Sequence, residues 1–101
     1  MNDAEAVRIK QTRRLILSCL NRMYPTPLQV RTLYKVMIGF DENYDLELLK
    51  KDIYYLRQKD FMEYVDDKLG GAGRFEDKCV GLTAEGKEIA DRTQTDEALE
   101  I

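Results

Sequence analysis

The sequence predicts an α+β domain of three helices, a two-stranded hairpin and a short closing helix. Three observations carry this. Apolar residues recur at helical spacing in three successive segments before residue 60. The period then switches to two over FMEYVDDK at residues 61–68. Gly70, Gly71 and Gly73 separate that segment from an apolar returning run, KCVGL at residues 78–82.

The first helix is expected from residue 4 or 7 to residue 23. Ile9, Ile16, Leu20 and Met23 form its apolar stripe, widened by Leu17 and Cys19, while Arg8, Lys10, Arg13, Arg14 and Arg22 take the other face. Tyr24 stands before Pro25 and is pushed out of the helical region, which ends the helix. TPLQ at residues 26–29 then reads as a helix start: Thr26 caps, Pro27 takes the first helical position and Gln29 completes a capping box. The second helix runs to about residue 38, burying Val30, Leu33, Tyr34 and Met37, with Gly39 as a left-handed stop.

Residues 40–44 make a polar connection, and Asp45 caps the third helix with Glu47 in its first turn. Leu46, Leu49, Ile53 and Leu56 are its buried stripe. Glu47, Lys50, Lys51, Tyr54, Arg57 and Gln58 lie opposite. The helix should end near Lys59 and Asp60. Beyond the glycine-tipped hairpin, on which Phe75 is placed to fold back, Thr83 caps a last helix over AEGKEIADR despite the propensity cost of Gly86. The domain is assigned to residues 1–92. The acidic tail TQTDEALEI at 93–101 is expected to be disordered, or else to dock Leu99 and Ile101 on a neighbour.

Composition narrows function by exclusion. Of 101 residues 44% are apolar and 35% charged, enough apolar content for a folded core. No run reaches the roughly 18 apolar residues of a membrane span, and the first ten lack a secretory pattern, so a cytoplasmic location is expected. Cys19 and Cys79 then read as free thiols. There is no histidine and no CxxC, and the one serine, Ser18, sits in an apolar helix. Imidazole acid–base chemistry, nucleophile–histidine pairs and a metal site are therefore not expected; there is no P-loop, and GGAG at 70–73 lacks the spacing and context of a dinucleotide fingerprint. No enzyme, cofactor or small-molecule ligand is predicted. Asp66/Asp67 and Glu76/Asp77 read as solvated turn residues rather than cation ligands.

The net charge of −3 hides an asymmetry. Residues 1–40 hold seven Lys/Arg against two Asp/Glu (+5), and residues 41–101 hold nine against seventeen (−8). Local fields steer a polyanion more than the total does.

LELLKKDIYYLRQKDFMEYV at 46–65, a leucine-rich helix ending in a polar pair and then a strand, is followed by LTAEGKEIA at 82–90. In this order they resemble the winged-helix superfamily, and LTAEG is similar to the L-T-x-x-G that closes the hairpin in many bacterial regulators. The resemblance spans about residues 9–92. A small acidic winged helix also resembles bacteriophage and prophage products. Two features depart from the pattern: the connection between helices 2 and 3 is long, and the usual first strand would fall at residues 25–28, where two prolines limit pairing to little or nothing.

The resemblance implies helix 3 in the major groove of duplex DNA and the wing against backbone or minor groove. Lys50 and Lys51 then suit phosphate or guanine, Arg57 phosphate, Gln58 an adenine edge, and Tyr54 a phosphate or thymine methyls. Arg74 is the groove-reaching wing residue, flanked by Lys68 and Lys78, and Arg31 and Lys35 add backbone contacts. Competing assignments stand beside these. Glu47 is spaced to pair with Lys50 or Lys51; Tyr54 and Tyr55 can cover the core edge; Leu48 can face helix 1 or a partner; Arg13 and Arg14 can serve a surface or dimer contact. Asp66, Asp67, Glu76 and Asp77 ring the wing and repel phosphate. Two functions follow: a DNA-binding transcriptional regulator, potentially a homodimer, or a protein-interaction winged helix that does not bind DNA. A continuous positive face from helix 3 to Arg74 would favour the first.

Overall fold

The computed structural model describes residues 3–65 and 73–95, with side chains up to Arg92. In chain order the elements are α1 (Asp3–Met23), β1 (Leu28–Gln29), α2 (Val30–Phe40), α3 (Leu46–Gln58), β2 (Met62–Val65), a 3-10 turn (Phe75–Asp77), β3 (Cys79–Leu82) and α4 (Ala84–Thr95). Among the described residues these form an α+β domain with four helices and one antiparallel sheet, ordered β1–β3–β2.

The core follows the apolar periodicity. Ile16, Leu17 and Leu20 of α1, Val30, Leu33 and Met37 of α2, and Leu49, Ile53 and Leu56 of α3 meet Met62, Val80 and Leu82 of the sheet and Ala90 of α4. Fully burying each such aliphatic side chain contributes about 1.5–3 kcal/mol. Met23 does not belong to this stripe: it is 47% exposed, because the core-facing part of α1 ends one turn earlier, at Leu20. Cys19 and Cys79 are free, half-buried thiols, and burial pushes the Cys19 thiol up. Among the described residues no helix is long and apolar enough to cross a membrane.

Three local expectations are corrected. TPLQ is not a capping box. Leu28 and Gln29 pair with Val80 and Cys79, and Val30 N donates to Lys78 O at 2.8 Å, so the sheet supplies partners here and Gln29 precedes α2 without a side-chain cap. The prolines at 25 and 27 stop short of the two paired residues and remove no donor from the ladder. The first strand therefore exists, and the sheet has three strands rather than two. Finally, Gly39 does not stop α2. The helix continues through Phe40 and ends at Asp41, extended at φ −142°, whose carboxylate pairs with Arg8 and accepts from Asn43 N at 3.0 Å.

Other signals are realised in full. Asp45 Oδ1 accepts from Leu48 N at 2.8 Å, and Thr83 Oγ1 accepts from Gly86 N at 3.0 Å, so both caps are made. At the far end of α3, Asp60 adopts φ 61°, its N–H donates to Arg57 O, and Phe61 N–H donates to Leu56 O. That is a Schellman exit with aspartate in the left-handed position usually held by glycine. The same Asp60 carbonyl accepts from the Thr83 hydroxyl at 2.5 Å, tying the end of α3 to the start of α4. Gly86 is what lets α4 lie there. A Cβ at this position would stand 1.7 Å from Phe61 O.

Candidate nucleic-acid interface

With Leu49, Ile53 and Leu56 buried, helical geometry turns Lys50, Tyr54 and Arg57 outward together, at i, i+4 and i+7. Lys51 and Gln58 border the same stripe, and all five are exposed. Tyr54 is 62% exposed and does not cover the core edge, whereas Tyr55 packs against it. Among the described residues Glu47 forms an ion pair with neither Lys50 nor Lys51.

The hairpin base meets this stripe through two aromatic rings. Lys50 Nζ lies 5.5 Å from the centroid of Phe75, which the 3-10 turn folds back onto the core. Arg57 Cζ lies 4.4 Å from the centroid of Tyr64 on β2, and Lys78 Nζ approaches the same ring at 4.9 Å. Arg74, exposed, directly precedes Phe75. Cation–π contacts at such partly exposed sites contribute about 0.5–1 kcal/mol each. They also leave the cationic charge intact while holding long, flexible side chains over fixed rings. A polyanion docking here would order fewer rotors than on a bare lysine surface.

The acidic residues divide. Asp77 Oδ1 lies 2.5 Å from Arg31 Nη2 on α2, and the Asp77 carbonyl accepts from Gln29 Nε2 at 3.4 Å. One carboxylate of the expected repulsive ring is thus compensated, and Arg31 is committed to it. Glu76 is half-buried. Asp66, Asp67 and Lys68 lie outside the described residues, as do Leu99 and Ile101. Lys35 is exposed on α2 and makes no ion pair with a described residue. Of the ten residues named from the sequence, Lys50, Lys51, Tyr54, Arg57 and Gln58 share the α3 face, Lys78 meets it over the Tyr64 ring, and Arg74 directly precedes Phe75 at its edge.

A second cluster was not foreseen. Tyr44, assigned to a polar connection, is 4% exposed and donates its hydroxyl to Asp52 Oδ2 at 2.7 Å. Asp52 sits on the buried side of α3, with Arg13 Nε 3.5 Å from its Oδ1. The Arg13 guanidinium stacks on Tyr55 at 3.6 Å, so Arg13 is an internal contact, not the surface or dimer contact considered from sequence. Burial raises the Asp52 carboxyl above its usual range, opposed by the Tyr44 hydrogen bond and by Arg13. Burial, with the Asp52 hydrogen bond and charge, raises the Tyr44 phenol. A signal was present: position 52 is an acid inside the Leu49–Ile53–Leu56 stripe, where a carboxylate needs partners.

No family model, no characterised protein and no solved structure matches the chain.

Proposed function

We propose that the chain is a winged-helix protein that binds duplex DNA as a transcriptional regulator, with α3 in the major groove and the hairpin base against the backbone. The order of elements and the β1–β3–β2 sheet support the winged-helix reading. The observation that carries DNA binding is the gathering of Lys50, Arg57 and Lys78 around Phe75 and Tyr64, which continues the cationic face of α3 towards Arg74. In this reading Lys50, Lys51, Arg57 and Lys78 meet phosphates or guanine edges, Gln58 an adenine edge, Tyr54 a thymine methyl or phosphate, and Arg74 a groove. Titrating labelled duplex DNA at about 50 mM salt tests it, because phosphate-driven affinity is greatest there. Absence of binding at that salt overturns it.

One observation favours a protein-binding module instead. Val36 and Phe40 lie one turn apart on one face of α2 and are 41% and 56% exposed. A homodimer built on this surface is compatible with DNA binding. Stable self-association without DNA affinity would make protein binding the better reading.

A further inference from the structure

The outer side of α2 carries more than two exposed apolar side chains. Thr32 and Gly39 lie on the same face as Val36 and Phe40, and all four are exposed. A Cβ added at Gly39 would meet nothing within 4 Å, so no described residue stands over the helix backbone there. The missing side chain leaves a notch beside Phe40 into which a second helix can approach closely.

The two ends of this face carry opposite charges. Lys35, next to Val36, and Glu42, just past the end of α2, are both exposed, and neither makes an ion pair among the described residues. Asp41 does not serve Lys35, because its carboxylate is paired with Arg8. An apolar centre with a cation at one end and an acid at the other is complementary to a copy of itself turned end for end. That is the requirement of a twofold contact, in which each residue meets its counterpart twice.

We propose that this face of α2 is a homodimer contact, with two copies of α2 packed antiparallel about a twofold axis level with residue 38. Val36 then meets Phe40 of the second copy, and Lys35 comes within reach of Glu42 of the second copy, each pairing made twice. The positive end of each helix dipole also falls beside the negative end of the other. The 11 residues of α2 span about 16 Å. One such face buries less than the roughly 800 Å² per partner of a standard interface, so the dimer is weak, with Kd on the order of 100 µM. The proposal rests on the self-association reading of this surface and not on DNA binding.

Sedimentation equilibrium of the full chain from about 10 to 500 µM at low salt reads the dimer directly. The expected result is a monomer–dimer equilibrium in the wild type and a monomer throughout for Phe40→Glu, with circular dichroism showing that the variant, changed at an exposed position, stays folded. Lys35→Glu and Glu42→Lys should each weaken association by about threefold or more, because each sets like charges together twice. The double swap Lys35→Glu/Glu42→Lys restores both pairings and should return the affinity to within about twofold of wild type. A wild type that stays monomeric, a dimer indifferent to Phe40→Glu, or a double swap no better than the single variants would overturn the proposal. Of these, a monomer that binds DNA would leave the DNA reading standing, and a dimer indifferent to Phe40→Glu would leave self-association standing on another surface.

Discussion

Arg57 lies over the ring of Tyr64, 4.4 Å from its centroid, and this stack joins the exposed cationic face of α3 to the hairpin base. Tyr64→Leu keeps every charge but removes the platform shared by Arg57 and Lys78. Stability should fall by about 0.5–1.5 kcal/mol in chemical denaturation. DNA affinity should fall severalfold with an unchanged salt slope, since the number of cations is the same. A changed slope would mean that the ring does more than order them.

Gly86→Ala should destabilise the domain although alanine is the better helix former by about 1 kcal/mol. The new methyl meets the Phe61 carbonyl, a backbone atom that moves only if β2 and α4 separate. The expected loss is about 2–3 kcal/mol, or a fall of roughly 4–8 °C in Tm for each kcal/mol. A stabilised Gly86→Ala variant would contradict the packing of α4.

Asp60 tests the exit from α3. At φ 61° a β-branched residue is strained, so Asp60→Val should cost about 1–2 kcal/mol by thermal or chemical denaturation. Asp60→Gly, free of that strain, should leave stability unchanged or raise it by up to about 1 kcal/mol.

The Tyr44–Asp52 pair gives a pH signature. Folding raises the Asp52 carboxyl, so the folded state holds that proton more tightly. The contribution of this group to stability is therefore largest in acid, and falls as pH rises from the unfolded carboxylate range, near about 4, through the folded value. The Tyr44 hydrogen bond opposes the shift by favouring the ionised form. Tyr44→Phe should thus cost about 1.5–3 kcal/mol near neutrality and less near pH 4, measured by urea unfolding at the two pH values. An equal loss at both would place the proton elsewhere.

The fold was legible where local chemistry and burial agreed. Asp45 and Thr83 cap because each precedes an apolar helical stripe, and Leu49, Ile53 and Leu56 bury together because their spacing admits one inward face. TPLQ misled because its cap residues were the right types, while the partner that claimed its backbone, β3, lies about 50 residues away. Gly86 read as a cost because its reason is a carbonyl on another element. The α3 half of the candidate interface followed from periodicity. Its union with Phe75, Tyr64 and Lys78, and the Arg31–Asp77 pair that compensates one acid, depend on tertiary contacts that no local pattern encodes.

The most direct test of the central claim is the salt dependence of duplex-DNA affinity for the wild type and for Lys50→Gln/Lys51→Gln, with Lys87→Gln on α4 as a remote control. Five cations on the proposed face, Lys50, Lys51, Arg57, Arg74 and Lys78, set a slope of log affinity against log salt of up to about −4.5. Neutralising two of them should reduce its magnitude by about 1.8. The control should match the wild type. Identical slopes for all three proteins, or no affinity at low salt, would contradict the account.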